Sequence, residues 1–298
     1  MNRRRSLLIL PAQDGRSVKS LLTTELEMSA SHIARLKQRE GGILLNGVPV
    51  YTNERVRAGD RLSAAISDGP ILQRPSPMAY PLEIVYEDED MLVINKPAGI
   101  AVHASTRAPD ELTLENALAA YLPEGCGMHP VSRLDKGTTG LMTIAKSGYM
   151  HELLRRRQHS PAFVKTYAAI TVDCPQPPEG RIDAPLGYAP ASRYKMAVID
   201  SGAPSVTAYA TLGIRNGLAL LRVSPETGRT HQIRVHLSHI GCPLLGDWLY
   251  GAEDARIGRP ALHAHTLRLE HPLTGEGLRL VAPLPPDMAA LVDASLLF

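Results

Sequence analysis

The chain has 298 residues, of which 44% are apolar and 21% are charged, and these proportions exclude a wholly disordered or collagen-like polypeptide. Its apolar runs, for example residues 7–11 and 218–221, are far shorter than the roughly 20 residues of a membrane span. Too few apolar residues follow the basic N-terminus for a secretory signal, and the three cysteines form no CxxC pair. We therefore expect a cytoplasmic protein that does not associate with membranes.

The net charge of the chain is concentrated near its N-terminus. Residues 1–66 contain eleven Lys and Arg against six Asp and Glu, a net charge of +5 in a chain whose total is +2. Because basic side chains displace counterions from phosphates, this segment suits a polyanionic partner such as a nucleic acid. A solvated basic surface without any partner explains the same charge equally well.

Two short helices are predicted in residues 1–66. Apolar residues recur at helical spacing after Arg16, and Ser29 or Ser31 can cap a second helix that Gly41-Gly42 ends. The inward-facing residues are Val18, Leu21, Leu22 and Leu26 in the first helix, and Ile33 and Leu36 in the second. The polar side of the second helix carries Arg35, Lys37 and Arg39. The second helix is therefore expected to present a basic face.

A β-hairpin is predicted around Asn46-Gly47, because two short apolar runs flank a turn in which both residues favour positive φ. Another strand is expected from Val56 to Leu62. Residues 29–62 resemble the small RNA-binding domain first seen in a ribosomal small-subunit protein and reused in RNA-modifying enzymes. In that family the basic second helix and the hairpin grip RNA. We therefore assign residues 1–66 to a basic RNA-binding domain.

Residues 67–80 are predicted to be a linker, because their prolines offer no amide donor and fix φ. In the remainder of the chain, strands are predicted at residues 91–95, 141–145, 164–172, 206–212 and 218–223. Helices are predicted at residues 112–121, 149–158 and 230–240. Strands outnumber helices and do not alternate with them, so residues 81–298 are expected to form an α+β domain with a mixed or antiparallel sheet.

Two polar segments of the second domain suggest chemistry. Residues 129–140 form a polar, glycine-punctuated loop before a strand, and Asp135 lies there close to Arg133 and Lys136, whose charges favour the carboxylate. An ordinary surface ion pair fits the same spacing. In the second segment, Tyr167 can present a flat ring to a base, although a tyrosine on a strand more often packs in the core.

Two more segments lie further along the chain. Thr230 is the expected N-cap of a helix, and Arg229 together with the N-terminus of that helix suits a phosphate. Arg234 lies one turn inside the helix. A turn after the helix returns Leu244 and Leu245 towards it.

In this order the segments resemble the RluA-type RNA pseudouridine synthases. The resemblance rests on Arg-Leu-Asp before a Thr-Gly strand, Lys-Thr-Tyr, Gly-Arg-Thr-His-Gln-Ile-Arg-Val-His and Pro-Leu-Leu-Gly-Asp. Residues 93–103 are also similar to the opening strand and turn of that family. These motifs cover most of residues 81–285, and with the N-terminal module the resemblance spans nearly the whole chain. It implies an α+β catalytic domain over residues 81–298.

The resemblance also implies roles for individual residues. Asp135 matches the aspartate required for activity, Tyr167 the ring that packs on the target base, and Arg234 the basic residue that pairs with the carboxylate. The implied substrate-binding residues are Arg133, which steers the flipped nucleotide, Leu245 or Leu244 in the uracil pocket, and Arg229, His231 and Gln232. The chain has Ser132 where relatives usually have His, and Thr139 where Ser is common, but neither change removes a group that the chemistry needs.

By the same resemblance, the partner is RNA, with ribosomal RNA of the large subunit favoured over transfer RNA. Isomerisation of uridine involves no redox change, so no cofactor, metal or protein partner is expected. Because burial of an unpaired carboxylate is costly, a fixed arginine is needed beside Asp135. The residues leave open whether Asp135 attacks the sugar, attacks the ring or removes a sugar proton, and the resemblance favours this last, glycal route. We expect a monomer, because the sequence contains no coiled-coil heptads.

Two other functions fit parts of the sequence. A metal hydrolase would use some of the eleven histidines, for example His236 with His239, or His263 with His265, but no HExxH motif supports it. An RNA-binding assembly factor without catalysis would need only the basic module. Asp135 distinguishes this second alternative, because binding alone does not require a carboxylate there.

Overall fold

A computed structural model describes residues 3–68, 74–104 and 110–297. Its first part is a four-stranded antiparallel sheet with two helices. The strands are β1 (Arg4–Leu8), β2 (Ile43–Leu45), β3 (Val48–Pro49) and β4 (Arg61–Ala65), in the order β1-β4-β2-β3, and the helices are α1 (Val18–Thr24) and α2 (Ala30–Lys37). Within the described residues, no helix is long and apolar enough to cross a lipid bilayer.

The two helices of this part form where the sequence predicts them. The Ser17 side chain caps α1 by accepting a hydrogen bond from Ser20, and Ser29 caps α2 by accepting one from His32. The expected end of α2 at Gly41-Gly42 is wrong, because the helix already ends at Lys37 and tighter turns follow it. The inward residues of both helices are buried in one apolar cluster.

The predicted hairpin is confirmed, and the predicted strand after it is displaced. Asn46 and Gly47 have φ angles of 53° and 85° between β2 and β3. The strand predicted from Val56 to Leu62 is wrong, because Gly59, at φ 91°, makes a turn, and β4 begins only after it. Strand β1, which pairs with β4 along its whole length, was not predicted.

The second part contains a ten-stranded mixed sheet. Its strands are β5 (Ile84–Glu87), β6 (Met91–Lys96), β7 (His129–Pro130), β8 (Thr139–Ala145), β9 (Phe163–Val172), β10 (Glu179–Asp183), β13 (Val206–Arg215), β14 (Leu218–Pro225), β15 (Leu262–Glu270) and β16 (Gly277–Val281). A separate hairpin consists of β11 (Leu186–Tyr188) and β12 (Met196–Val198). The main path is β10-β13-β14-β9-β15-β8-β6-β5, with β16 beside β15 and β7 beside β8.

Four helices accompany this sheet, namely α3 (Leu114–Tyr121), α4 (Gly148–Arg157), α5 (Gln232–His239) and α6 (Pro286–Ala289). The predicted α+β class is confirmed, as are the five predicted strands and the three predicted helices, with small differences at their ends. The expected N-cap Thr230 is wrong. His231 occupies the cap position in a left-handed conformation, with φ 56°, and its side chain makes no capping hydrogen bond.

The middle of the sheet brings the loop before β8 close to Tyr167 on β9. Ala264 on β15 lies between them, because it pairs with Gly140 of β8 in parallel register and with Tyr167 in antiparallel register. Gly140 has φ 106°, and a Cβ there would lie 2.3 Å from the Ala264 carbonyl oxygen. Only glycine permits this approach, so it fixes where the loop with Asp135 enters the sheet.

The two parts of the chain share apolar packing. Tyr149 and Leu153 of α4 belong to the buried cluster of the N-terminal part, and the Tyr149 hydroxyl donates a 2.6 Å hydrogen bond to the Leu26 carbonyl. Of the predicted linker, residues 69–73 lie outside the described residues. Residues 74–80 form no helix or strand, and the Arg74 guanidinium donates to backbone carbonyls at the end of α3.

The buried contact between the two parts leads to a stability prediction. We expect Tyr149→Phe to lower the free energy of unfolding by about 1–3 kcal/mol, because the Leu26 carbonyl loses its buried donor. Urea unfolding followed by circular dichroism measures this change. Tyr51→Phe is the control, because Tyr51 is 77% exposed. Equal unfolding free energies for the two variants would contradict the role of this hydrogen bond.

Candidate active site

The guanidinium of Arg234 joins two carboxylates. Its Nε and Nη2 donate to the two oxygens of Asp247, both at 2.8 Å, and its Nη1 donates to Oδ2 of Asp135 at 3.2 Å. The Asp247 side chain is fully buried, whereas 31% of the Asp135 side chain is exposed. Asp247 therefore holds the guanidinium in place, and Asp135 is the carboxylate that a ligand can reach.

The charge of Arg234 is secured by these partners. Burial alone lowers its pKa, but the hydrogen bonds and charge of Asp247, together with Asp135, outweigh burial, so the pKa is raised. Asp247 lies in the Pro-Leu-Leu-Gly-Asp motif, but the sequence predicts no role for its side chain. Its only signal was a polar residue directly after an apolar turn, a pattern that many surface loops share.

Lys96 holds the backbone of the loop that carries Asp135. It is completely buried at the end of β6, and its ammonium donates to the carbonyl oxygens of Pro97 at 2.8 Å, Thr138 at 3.0 Å and Lys136 at 3.4 Å. Burial lowers its pKa to about 8, and the charge of Asp135 opposes this shift. Lys96 therefore adds positive potential next to Asp135 while fixing the backbone of its loop.

His231 and Tyr250 form the side of the site next to Arg234. The His231 Nδ1 lies 2.8 Å from the Tyr250 hydroxyl, and its Nε2 lies 3.9 Å from Oδ2 of Asp135. Burial lowers the pKa of His231, which favours the neutral ring at neutral pH. The Arg234 guanidinium lies 5.0 Å from the centre of the Tyr250 ring, in the range of a cation–π contact.

Tyr167 lies on β9, half-buried, and packs against two of the apolar clusters. Burial raises the pKa of its hydroxyl, and the charge of Asp135 raises it further, so the phenol stays protonated at neutral pH. The structure brings Asp135 and Arg234 into direct contact, whereas Tyr167 is not among the residues that line the open cavity beside Asp135.

An open cavity of ≈ 710 Å³ lies in front of Asp135, with Arg234 and His231 in its wall. Leu249 supplies an apolar side chain to it. Leu244 and Leu245, which the sequence analysis assigns to a uracil pocket, are buried in core clusters, and neither is among the residues that line this cavity. The turn after α5 directs them into the core beneath the site.

The other predicted substrate-binding residues differ in exposure and in how many of their polar atoms already have hydrogen-bond partners. Arg133 is exposed, and no hydrogen bond to another described residue engages its guanidinium. Arg229 is also exposed, with its Nε donating to the Pro204 carbonyl at 3.3 Å. Gln232 is 4% exposed, and its amide bonds Thr227, the Arg229 backbone, Val206 and Thr207. Because its hydrogen-bonding capacity is used internally, Gln232 braces the loop before α5 and cannot bind a substrate directly.

On the N-terminal helix α2, Arg35 and Lys37 are exposed, whereas Arg39 donates to the Ser67 carbonyl at 2.8 Å. Of these three basic residues, Lys37 and Arg35 are exposed, although the Arg35 guanidinium also lies 3.4 Å from Nδ1 of His32, and Arg39 is engaged with the chain that leaves the domain.

Three of the histidines considered as metal ligands have structural partners. His236 hydrogen-bonds Thr207 and the Ala184 carbonyl, while His263 and His265 both bond the Ala282 carbonyl. Among the described residues, the one group spaced for a metal ion is Asp88, Asp90 and His271, which does not include them. Its carboxylates already accept hydrogen bonds from Tyr86, Arg3 and the backbone.

Comparison with known proteins agrees with this geometry. A family model described as RNA pseudouridylate synthase matches residues 90–239. The RNA pseudouridine synthase YlyB of Bacillus subtilis, named as uncharacterized, is 37% identical over 285 residues, which cover 92% of each chain. Ribosomal large subunit pseudouridine synthase D of Yersinia pestis is 42% identical over 269 residues, covering 85% of this chain and 82% of its own.

A solved structure shows the same fold. Human RNA pseudouridylate synthase domain containing 4 is 29% identical and superposes with a TM-score of 0.56, over 70% of this chain and 90% of its own. The residues that the family model matches include Asp135 and Arg234. The chain belongs to the RNA pseudouridylate synthase family and is an isomerase.

Proposed function

We propose that the protein converts uridine to pseudouridine in large-subunit ribosomal RNA, with Asp135 as the catalytic carboxylate and without a cofactor. The observation that carries the proposal is the ion pair between the accessible Asp135 and the buried Arg234 at an open cavity. Two supports for the ribosomal substrate are the identity to enzymes named ribosomal large subunit pseudouridine synthase D and the basic N-terminal segment. Transfer RNA is the second substrate to test. Action on bacterial ribosomal RNA would place the protein in the cytoplasm.

The reaction is an isomerisation in which atoms and electrons balance within the nucleotide. The bond between N1 and C1′ breaks, the uracil rotates, and a bond between C5 and C1′ forms. The proton that C5 loses is balanced by the proton that N1 gains. In the glycal route, which the family resemblance favours, Asp135 takes a proton from C2′ of the sugar and returns it after rotation. The two other routes are attack by Asp135 on the sugar and attack by Asp135 on the ring.

Three side chains give Asp135 the properties that this chemistry needs. A carboxylate in a partly dry cavity stays ionised only with a fixed positive charge beside it, and Arg234 provides that charge at 3.2 Å. The buried ammonium of Lys96 adds positive potential at Asp135. Tyr167 would pack on the target uracil and offset the stacking that the base loses when it leaves the RNA helix, about 1–3 kcal/mol.

We infer the remaining contacts to RNA from the basic side chains that are exposed. Arg133 projects freely beside Asp135 and would steer the flipped nucleotide, while Arg229 and His231 would contact the sugar–phosphate chain. On the N-terminal domain, assigned to residues 1–66, Arg35 and Lys37 of α2 would dock the RNA by neutralising phosphates. The shared packing of Tyr149 against this domain would hold the docking face at a set position relative to the cavity.

The first prediction concerns the catalytic carboxylate. We expect Asp135→Asn to abolish pseudouridine formation while changing RNA affinity little, because the amide preserves shape but cannot accept a proton or act as a nucleophile. Chemical mapping of pseudouridine in ribosomal RNA and filter binding measure the two quantities. Asp200→Asn, an exposed site on a loop, is the control. Wild-type activity in Asp135→Asn would refute the assignment and favour an assembly factor that only binds RNA.

The second prediction concerns the buried partner of Arg234. We expect Asp247→Asn to lower the free energy of unfolding by about 3–5 kcal/mol, because a buried guanidinium loses its main charged partner, and to reduce activity more than RNA affinity. Asp254→Asn breaks a similar two-bond pair with Arg256 at the surface and should leave the stability nearly unchanged, because solvent screens that pair. Thermal unfolding and single-turnover rates provide the measurements. Similar losses of stability in both variants would show that Asp247 does not anchor the site.

The third prediction concerns docking of RNA. The combined variant Arg35→Gln, Lys37→Gln should weaken RNA binding and reduce the slope of log K against log salt by about 2, because two phosphate contacts disappear. Arg268→Gln with Arg279→Gln removes the same charge from paired residues on β15 and β16 and serves as the control. An unchanged slope in the α2 variant would show that this helix does not dock RNA. Point substitutions are preferable to deletion of residues 1–66, which would uncover Tyr149 and Leu153.

A further inference from the structure

The mouth of the cavity carries two exposed aromatic rings that the proposed chemistry does not use. Trp248 is the single tryptophan of the chain and is 61% exposed, and Tyr194 is 58% exposed. Both line the cavity that contains Asp135. Tryptophan is usually well buried in proteins, so a largely exposed ring beside a functional cavity indicates an interaction surface.

The position of Trp248 is fixed by the same ion pair that orders the catalytic site. The Asp247 carboxylate, held by Arg234, also accepts hydrogen bonds from the backbone amides of Leu249 and Tyr250, at 3.2 and 3.3 Å. The amide of Trp248 donates to the Gly246 carbonyl at 3.1 Å. The backbone on both sides of the indole is therefore held, which reduces the entropy lost when a ligand packs on the ring.

Tyr194 is presented by the turn between β11 and β12. The Ser192 hydroxyl accepts hydrogen bonds from the amides of Tyr194 and Lys195, and the amide of Met196 donates to the Tyr250 hydroxyl at 2.9 Å. Tyr250 in turn contacts His231 in the site, so the turn is connected to the cavity wall. The neighbours of Tyr194 in the chain, Arg193 and Lys195, are both basic and exposed.

We propose that Trp248 and Tyr194 form a stacking platform for unpaired nucleobases of the substrate RNA, next to the uridine held at Asp135. Exposed aromatic faces with adjacent basic side chains are the pattern by which proteins bind single-stranded nucleic acid, because every base has a face that stacks and every nucleotide has a phosphate. The proposal rests on the proposed function for the identity of the RNA. It adds that the substrate presents its target uridine within unpaired nucleotides, as in a loop or bulge.

Trp248 is itself the probe for the first test, because no other tryptophan contributes to the emission. A short oligouridylate and an abasic oligomer of the same length and charge are titrated into the full-length protein at low salt. We expect oligouridylate to quench and shift the emission, and the abasic oligomer to leave it nearly unchanged. An equal response to both oligomers, or no response to oligouridylate, would overturn the proposal.

Substitution provides the second test. Trp248→Leu should weaken oligouridylate binding by about 5- to 150-fold, the range for loss of one stacked base, and should leave binding of the abasic oligomer unchanged. Trp248→Tyr should restore most of the affinity, because another aromatic face is present. Tyr188→Leu is the control, since Tyr188 is an exposed aromatic on the hairpin that carries Tyr194 and does not line the cavity. An equal loss for both oligomers, or equal effects of Trp248→Leu and Tyr188→Leu, would contradict stacking and favour a different occupant, such as a protein.

The same samples separate this proposal from the proposed function. Pseudouridine formation in ribosomal RNA is measured beside the fluorescence response, with Asp135→Asn included. Quenching by oligouridylate in Asp135→Asn, which makes no pseudouridine, supports the platform independently of catalysis. If the wild-type protein modifies ribosomal RNA but shows no selective response to bases at Trp248, the platform fails and the proposed function stands.

Discussion

The site depends on one buried guanidinium and the two carboxylates that share it. Arg234 donates two hydrogen bonds to the fully buried Asp247 and a third to Asp135, which is accessible from the cavity. A buried arginine without partners would be strongly destabilising, so Asp247 is a condition for placing Arg234 there at all. The Asp247 carboxylate also accepts the amides of Leu249 and Tyr250, so the same pair orders the chain beside Trp248.

The sheet brings this ion pair to the loop that carries Asp135. Strands β8 and β15 run parallel at Gly140 and Ala264, and this contact is so close that only a glycine fits. Across Ala264 lies Tyr167, so one residue of β15 pairs both with the strand that follows the Asp135 loop and with the strand that carries the phenol. The buried ammonium of Lys96 donates hydrogen bonds to the carbonyl oxygens of Lys136 and Thr138 and so fixes the backbone of this loop. The positive groups around Asp135 thus come from one strand, which carries Lys96, and one helix, which carries Arg234, and the fold brings them together.

The N-terminal domain is joined to the catalytic domain by more than the chain that connects them. Tyr149 and Leu153, both on α4, belong to the apolar cluster of the N-terminal sheet, and Arg3 pairs with Asp90 next to β6. Such packing gives the basic helix α2 a set position relative to the cavity. Under the proposed function, a docking face and a cavity in a set relation would select RNA by the distance between a bound phosphate segment and the reactive uridine, in addition to the local sequence.

Local patterns in the sequence determined the α+β class, the two N-terminal helices, the Asn46-Gly47 hairpin and the family-like motifs around Asp135, because each depends on neighbouring residues. The pairing of Arg234 with Asp247 and the role of Lys96 required the tertiary structure, since both depend on contacts between elements distant in the chain. The same holds for Leu244 and Leu245: a turn motif indicates that two leucines face inward, and the packed structure adds that each belongs to a separate core cluster. The sequence thus determined which groups are present, and the packing of the sheet decided which of them meet.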